Sequence, residues 1–236
     1  MIMRKRAVFG MAIGLTLAGV SLQAGTLIIG TPADTANCDP FGCPAFFGLG
    51  TYQQVYSNAA FPGAITIDDL ILYQSEVLHN GGMPSNGTYT LSFSYTTAAP
   101  GNLDLNDGPD ANIAAGTEEQ FFTGTLPALT PIATENLLNF SGTPFAYNPA
   151  DGNLLLTVTV TGATDSRPYL YLDNSGSASV TSDAYFGTVN GGNNPGLVTG
   201  LPFTVSTSPT PEPASLLLVL GGIGLIGYQR RRRHNN

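Results

Sequence analysis

A chain of 236 residues has room for one large domain or two small ones. Only 10% of its residues are charged, against about 25% in ordinary soluble domains, and tryptophan is absent. The formal net charge is −8, and between the basic residues at the two ends a single base, Arg167, stands against all sixteen acids. Nucleic-acid binding needs a basic surface, so the composition argues against a nucleic-acid partner and favours an extracellular β-protein.

The first 24 residues have the three parts of a secretory signal peptide. A basic start at residues 4–6 precedes an apolar stretch at residues 7–20, and the small residues of SLQAG follow. The apolar stretch is shorter than the roughly 20 residues that a membrane span needs. The pattern predicts a signal peptide at 1–24, export through the Sec translocon and cleavage after Ala24. An uncleaved membrane anchor is the alternative.

The two cysteines of the chain lie close together in the stretch NCDPFGC. Because an exported protein meets an oxidising compartment, this arrangement favours a disulfide between Cys38 and Cys43, with Pro40 and Gly42 assisting the turn. The spacing is not the C-x₂-C of zinc sites, and the sequence has no second cysteine pair. Free or metal-bound thiols are the alternative.

Residues 25–205 show the period-two alternation of half-buried β-strands. The clearest example, GTYTLSFSYTT, has an apolar face made of Tyr89, Leu91, Phe93 and Tyr95. The other predicted strands are GNLLLTVTVTG, AITIDDLILYQ, GTLIIG, TYQQVY, EQFFTGTL, PYLYLD, AYFGTV and LPFTV. Turn signals separate them, and NGGNNPG at 190–196 is one of these.

About nine short strands in this length predict an all-β body, with two antiparallel sheets packed face to face as a β-sandwich or jelly roll. The Tyr, Phe, Leu and Val faces are expected to form the core, and the Thr and Ser faces to meet water. In AITIDDLILYQ the apolar positions change phase at Asp68 and Asp69. The predicted fold is therefore an all-β body flanked by an N-terminal signal helix and a C-terminal transmembrane helix.

Acidic and amide side chains cluster around Gly108 in the stretch DLNDGPDAN, residues 104–112. The candidate oxygen ligands are Asp104, Asn106, Asp107 and Asp110. Oxygen ligands at alternating positions around a glycine turn suit Ca²⁺. The stretch is not an EF-hand, because that pattern needs acids where this chain has Gly108 and Ala115. An acidic loop without an ion is the alternative that these residue types favour.

Patterns that indicate catalysis are sparse. The body has one histidine, His79, and no G-x-S-x-G elbow that could supply a nucleophile. The acidic pairs at 68–69 and 118–119 are sequence neighbours, and neighbours on a strand point to opposite faces. We therefore expect no enzymatic activity, and a secreted hydrolase using His79 is the least favoured alternative.

A sugar-binding surface is the stronger alternative. Tyr169 and Tyr171 alternate beside Arg167 in RPYLYLD, and sandwich lectins stack sugars on such rings. Packing in the core is the other explanation for these tyrosines. The sequence thus leaves open a glycan-binding module, with calcium as an optional cofactor.

The chain ends in a Pro-rich linker at 206–213 and a final segment at 214–236. The apolar part of that segment, residues 214–228, would extend about 22 Å as a helix, against a bilayer core of about 30 Å. The arginines behind it stay on the cytoplasmic side by the positive-inside bias. This arrangement predicts a marginal transmembrane helix that tethers the chain to the inner membrane.

Three features in order at the C-terminus resemble the sorting signal of the PEP-CTERM family. They are the triplet Pro211, Glu212 and Pro213, the apolar stretch 216–226, and the arginines Arg230, Arg231, Arg232 and Arg233. The resemblance covers residues 211–233 and implies processing by an exosortase, a membrane-embedded protease or transpeptidase of Gram-negative bacteria. Such substrates are exported and associated with exopolysaccharide or biofilm matrix. A plain C-terminal anchor is the alternative.

Together these features predict an exported protein that is tethered transiently to the inner membrane of a Gram-negative bacterium. After processing, it would reside at the cell surface or in the extracellular matrix. Its body is expected to have a structural or adhesive role, with exopolysaccharide as a possible partner and no obligatory cofactor.

Overall fold

The computed structural model describes residues 22–43, 50–75, 86–126, 137–164, 170–188 and 190–206. Residues Gln23–Ser206 belong to one compact unit, and the two ends of the chain are not part of it. The predicted signal helix, the linker beyond Ser206 and the predicted C-terminal helix lie outside the described residues.

The described ranges contain twelve β-strands and two short 3₁₀ helices. The strands are β1 (Leu22–Ile29), β2 (Pro32–Asn37), β3 (Thr51–Tyr56), β4 (Ile65–Tyr73), β5 (Thr88–Thr96), β6 (Glu119–Thr125), β7 (Leu137–Tyr147), β8 (Asn153–Thr161), β9 (Leu172–Ser175), β10 (Thr181–Phe186), β11 (Gly191–Pro195) and β12 (Thr199–Ser206). The 3₁₀ helices are Asn58–Ala60 and Pro109–Asn112. The pairings with a described register are antiparallel, so the predicted all-β, antiparallel body is confirmed.

The strands form three sheets. The largest has six strands in the order β11-β10-β3-β8-β5-β6, and the second has four in the order β1-β12-β4-β7. A two-stranded sheet joins β2 and β9. The strand orders mix early and late segments of the chain, so residues distant in sequence meet in the sheets.

The two larger sheets share one hydrophobic core. Phe93 on β5 packs against Phe145 on β7, with ring centroids 5.5 Å apart, and Phe122 on β6 meets Phe140 on β7 at 5.3 Å. These contacts join one sheet to the other because β5 and β6 belong to the six-stranded sheet and β7 to the four-stranded one. The apolar faces recognised in the sequence therefore meet between the sheets.

Strand β4 is continuous although its alternation of apolar residues is interrupted at Asp68 and Asp69, because the strand contains a bulge there. Ile67 is buried before the two aspartates and Leu70 is buried after them. In the register with β12, Ile67 pairs with Phe203 and Ile71 pairs with Gly200, so β4 has one more residue than β12 between these two pairs. Because side chains alternate along a strand, this extra residue returns the later apolar residues to the core face.

The outer face of the six-stranded sheet is also covered. A second hydrophobic cluster combines Val55, Leu155 and Phe186 from the sheet with Leu103 from the segment 97–118. The serine and threonine residues on the outer face of β5 include Ser92, Ser94 and Thr96, which are only 8%, 1% and 2% exposed. The expectation that the Thr/Ser faces meet water is therefore wrong for this sheet, because the segment between β5 and β6 folds over it.

Three strands differ from the sequence-based predictions. The turn predicted at 190–196 contains strand β11, which pairs with β10 around a bulge. The bulge is accommodated by Asn193, whose φ is 60°, and by Gly192, whose φ is +148°. Strands β2 and β7 were not predicted, although each pairs with a predicted strand.

Strands β1 and β12 are neighbours in the four-stranded sheet. A β-carbon at Gly25 would lie 3.2 Å from the Phe203 ring, and one at Gly30 would lie 3.4 Å from Cα of Val198. The residue number rises along one strand as it falls along the other, so the two strands are antiparallel. The first strand of the body therefore begins where its last strand ends.

Candidate functional site

The residues predicted to direct sorting lie outside the described ranges: Pro211, Glu212, Pro213, Arg230, Arg231, Arg232 and Arg233. Ala24, the predicted signal cleavage position, is an exposed residue of β1. Cleavage after Ala24 would leave the strand from Gly25 to Ile29 in the sheet. That cleavage position stays a prediction.

The predicted disulfide between Cys38 and Cys43 is present. Its Cα atoms are 5.4 Å apart, and the Cys43 N–H donates to the Cys38 carbonyl oxygen at 3.1 Å. At the tip of this small loop, Phe41 is fully buried and stacks on Tyr89 with ring centroids 5.4 Å apart. A β-carbon at Gly42 would collide with the carbonyl oxygen of Leu170. The loop is therefore closed covalently and anchored in the core.

Two buried aspartates contact the side chain of one residue of this region, Asn37. Asp39, within the disulfide loop, is 7% exposed, and Asp183, on β10, is 2% exposed. Asn37 contacts both residues: its Oδ1 accepts from the Asp39 N–H at 2.9 Å, and its Nδ2 donates to Asp183 Oδ2 at 3.4 Å. This buried carboxylate pair, Asp39 and Asp183, is the candidate functional site.

The carboxylate pair has few hydrogen-bond donors. Asp183 Oδ1 is buried without a hydrogen-bond partner. Asp39 Oδ1 lies 3.3 Å from Cys43 Sγ, but a disulfide sulfur carries no hydrogen to donate. The described ranges contain no Lys, Arg or His, so no cationic side chain within them faces these carboxylates.

Burial is the main cause of the raised pKa values of both carboxyl groups. It raises the pKa of Asp39 to about 7, from an ordinary value of 3.8. Burial also raises the pKa of Asp183 to about 7, and the negative charge of Asp39 adds to this effect. The backbone and side chain of Asn194 lower the pKa of Asp183 in part. Both shifts express the same fact, that the charged forms are poorly compensated.

A hydrogen-bonded polar layer lies beside the pair on the inner face of the six-stranded sheet. Gln54 on β3 lies opposite Asp183 in the strand register. Its Oε1 accepts from the Tyr52 hydroxyl at 2.6 Å, and its Nε2 donates to the Leu197 carbonyl oxygen at 2.8 Å. Burial, followed by the negative charge of Asp183, raises the pKa of Tyr52. Gln54 is thus satisfied by its neighbours, whereas Asp183 Oδ1 has no hydrogen-bond partner.

The acidic stretch at 104–112 folds into a tight turn. Asp104 Oδ1 accepts from the N–H groups of Asn106 at 2.7 Å and Asp107 at 3.2 Å, and these bonds lower the pKa of the Asp104 carboxyl. Asp107 and Asp110 do not join Asp104 in any described group of three ligand atoms within 4.8 Å; the group found in the described ranges is Cys38, Asp39 and Cys43. Calcium binding at 104–112 stays a prediction.

Asn112 attaches this stretch to the sheet. The Asn112 side chain is 4% exposed, and its Nδ2 donates to Gln53 Oε1 at 3.0 Å. Its Oδ1 accepts from the Asp104 N–H at 2.7 Å. Gln53 also donates to the Pro109 carbonyl oxygen at 2.9 Å. Several polar residues of the acidic stretch thus have a structural role over the outer face of the sheet.

A surface cleft of about 390 Å³ lies along β4, β5 and β7. Thr66, Tyr95, Tyr147 and Asn148 are among the residues that line it. The rings of Tyr95 and Tyr147 stack with centroids 5.4 Å apart, and the Asn148 N–H donates to the Tyr95 hydroxyl at 2.8 Å. This aromatic cleft is not formed by the tyrosines considered in the sequence. Tyr171 is half-buried and is not among the residues that line the cleft, and Tyr169, Arg167 and His79 lie outside the described residues.

The comparison with protein families matches residues 209–233 to the PEP-CTERM protein-sorting motif. This chain carries a PEP-CTERM sorting motif. The motif supports an exported, membrane-transiting protein that an exosortase sorts, as the resemblance implied. The matched range contains the seven residues predicted to direct sorting.

The PEP-CTERM match is confined to the C-terminal segment, outside the compact β-body. Neither a curated protein nor a solved structure matches the chain. Among the described residues, none of the helices has the length and apolar character needed to cross a membrane.

Proposed function

We propose that this exosortase-sorted protein acts as a structural or adhesive element at the cell surface or in the exopolysaccharide matrix. The single observation that carries the proposal is the PEP-CTERM motif at residues 209–233. The route follows from the sequence: the Sec translocon exports the chain, and the C-terminal segment tethers it to the inner membrane until processing. No catalytic role and no obligatory cofactor form part of this proposal.

Two properties of the body support a role outside the cell. The Cys38–Cys43 disulfide suits an oxidising compartment, where such bonds persist. The described ranges hold no cationic side chain, so the body is acidic and is repelled by anionic membrane surfaces. An acidic body of this kind would stay in the medium, away from the membrane surface, or associate with the matrix through bridging cations.

Processing can be tested by intact-mass measurement of the protein from a native culture. We expect the wild-type protein to lack residues 214–236, and a variant with alanine at Pro211, Glu212 and Pro213 to retain them. A Ser208→Ala variant, altered in the same spacer but outside the triplet, should be processed like the wild type. Retention of residues 214–236 in the wild type would contradict processing at the triplet.

The structural or adhesive role needs a separate measurement. We expect the processed protein to co-fractionate with surface material or exopolysaccharide, and a deletion strain to show weaker biofilm cohesion. Full release of the processed protein into the medium, with unchanged cohesion in the deletion strain, would contradict this role while leaving sorting intact.

Glycan binding is the second candidate function, and the aromatic cleft favours it. The half-buried Tyr95 ring lines the cleft beside the backbone of Asn148 and is backed by the buried Tyr147 ring, a combination of apolar and polar groups that suits a sugar. A glycan array should detect binding that Tyr95→Ala weakens at least tenfold and Tyr171→Ala leaves unchanged. Uniform absence of binding would leave the structural role as the sole proposal.

A hydrolase using His79 is tested by loss of a screened activity in His79→Ala.

A further inference from the structure

We propose that Asp39 and Asp183 bind a divalent cation of the calcium class between the disulfide loop and strand β10. This site is distinct from the acidic stretch at 104–112. It does not depend on how the chain is sorted or on what the body binds.

The fold brings Asp39 and Asp183, which are far apart in the sequence, to the same side chain, that of Asn37. Asp39 belongs to the loop closed by the Cys38–Cys43 disulfide, and Asp183 lies on β10 of the six-stranded sheet. The Asn37 side chain touches both residues, at 2.9 Å from the Asp39 nitrogen and 3.4 Å from Asp183 Oδ2. The disulfide and the buried Phe41 restrict the loop, so the Asp39 carboxylate is held at this position.

The charges of the pair call for a cation. A buried carboxylate without a partner is strongly destabilising, and two such groups close together are worse. Asp183 Oδ1 is the clearest sign, because this oxygen is buried and has no hydrogen-bond partner on a residue that is 2% exposed. No Lys, Arg or His occurs in the described ranges to compensate it. One divalent cation would neutralise both carboxylates.

The available ligand atoms select the class of cation. They are carboxylate oxygens, with the Asn37 amide oxygen nearby, and these are the ligands of hard cations. The sulfurs of Cys38 and Cys43 lie close to Asp39 but form a disulfide, so they are not thiolate ligands for zinc or copper. Calcium tolerates irregular coordination and accepts backbone carbonyls and water, whereas magnesium demands a near-ideal octahedron. The mixed, asymmetric set here therefore suits Ca²⁺.

The acidic stretch at 104–112 is less suited to the same ion. Asp104 Oδ1 already accepts two backbone N–H groups, and Asp104 is partly exposed. The orphaned oxygen is in the buried carboxylate pair. This difference makes Asp107→Asn a matched control: it removes one carboxylate from the competing stretch and none from the proposed site.

The test uses the full chain, purified in detergent, stripped with EDTA and titrated with CaCl₂ at pH 8. We expect calorimetry to show one ion bound per chain at the proposed site. At about 100 times the dissociation constant, CaCl₂ should raise Tm by about 5 °C or more. The Asp183→Asn and Asp39→Asn variants should lose this heat and this rise in Tm, whereas Asp107→Asn should retain both.

A fold control accompanies the variants. Asp183→Asn removes a buried charge without changing shape, so in EDTA at pH 8 its Tm should equal or exceed that of the wild type. Terbium provides a second measurement on the wild type, because Tyr52, next to the pair, can sensitise its emission. Emission that CaCl₂ displaces and that Tyr52→Phe reduces supports the site. The proposal is overturned if the wild type shows no calcium heat and no change in Tm, if Asp183→Asn responds like the wild type, or if only Asp107→Asn loses the response.

Discussion

At Gly142 and Gly42 a glycine is required because backbones approach too closely for a side chain. A β-carbon at Gly142 on β7 would collide with the carbonyl oxygen of Phe121 on β6, where the edges of the two large sheets meet. The same holds for Gly42 against Leu170 behind the disulfide loop. Neither contact involves a flexible side chain that could move aside, so relief requires a shift of backbone.

The first prediction concerns Gly142→Ala. The added methyl group should separate β6 from β7 and lower the free energy of unfolding by about 1–3 kcal/mol. Gly50→Ala is the control, because a β-carbon there would meet its nearest atom, the Phe186 carbonyl oxygen, at an ordinary 3.8 Å. Urea unfolding of both variants measures the difference. Equal stability of the two variants would contradict the close approach of β6 and β7.

The second prediction concerns the pH dependence contributed by Asp104. Hydrogen bonds from the N–H groups of Asn106 and Asp107 lower its pKa below the ordinary 3.8. A group with a lowered folded-state pKa stabilises the fold above the unfolded-state value, and this stability is lost as the pH falls through the folded-state pKa. The Asp104→Asn variant keeps an acceptor oxygen but not the charge. Its Tm should lie below that of the wild type near pH 6, and the gap should narrow as the pH falls below 3.8; a gap independent of pH would contradict the assignment.

Sequence reasoning reached the disulfide but not the carboxylate pair beside it. Two cysteines in one short stretch carry their own pairing information, whereas Asp39 follows β2, Asp183 lies on β10, and only the tertiary structure brings both residues to Asn37. One local signal was available: Asp183 lies on the same face of β10 as Thr181 and Tyr185, and an aspartate within a strand is unusual. The signal identifies an odd residue but not its partner.

At the scale of elements, the segment 97–118 between β5 and β6 serves as a cover for the six-stranded sheet. Leu103 contributes to the second hydrophobic cluster, and the Leu103 N–H donates to Asn193 Oδ1 on β11 at 2.9 Å. The Gly101 N–H donates to Ser182 Oγ on β10 at 2.7 Å. The segment is thus fastened to several strands through polar contacts around a small apolar centre.

The third prediction tests this attachment with Asn112→Ala. The substitution removes three hydrogen bonds and leaves the buried side-chain oxygen Gln53 Oε1 without its donor. We therefore expect a loss of about 2–3 kcal/mol in the free energy of unfolding. The exposed Asn102→Ala is the control and should change stability by less than about 0.5 kcal/mol. Hydrogen exchange should also increase at Leu103 and Asp104. Unchanged exchange would indicate that the cover is held by its apolar contacts alone.

Strand prediction succeeded where side-chain alternation was uninterrupted and failed where glycine and proline broke it. Strands β3, β5 and β8 follow their predicted positions within a residue or two. Strand β7 was missed because its middle reads Ser-Gly-Thr-Pro; the register with β4 shifts at this stretch, and it is Ser141 and the residues on either side of the stretch that pair with β4. Strand β11 reads Gly-Gly-Asn-Asn-Pro and pairs at the edge through a bulge, so only the tertiary structure identifies it. The covering of the outer face by segment 97–118 could not be predicted either, because a strand face rich in Ser and Thr has the same sequence pattern whether it is covered or exposed to solvent.

At the scale of the whole molecule, strand β1 is the first described strand of the body. Its last residue, Ile29, is 2% exposed in the core, whereas the adjacent Ile28 is 57% exposed. We therefore expect Ile29→Ala to lower the free energy of unfolding by about 2–4 kcal/mol and Ile28→Ala to lower it by less than about 0.5 kcal/mol. Urea unfolding of the processed protein measures this fourth prediction. Similar values for the two variants would show that β1 is not an integral strand of the mature body.

The antiparallel pairing of β1 with β12 also sets how the mature protein would bear mechanical load. A body held through its C-terminus is pulled along β12, which lies between β1 and β4, so the hydrogen bonds on both sides resist together in shear. A pull between the two termini would instead separate β1 from β12 one hydrogen bond at a time, like a zipper, because both strands have their free ends at the same edge. Attachment through the C-terminus alone would therefore be the mechanically stronger arrangement, and it is the arrangement that processing with attachment at the C-terminal signal would produce.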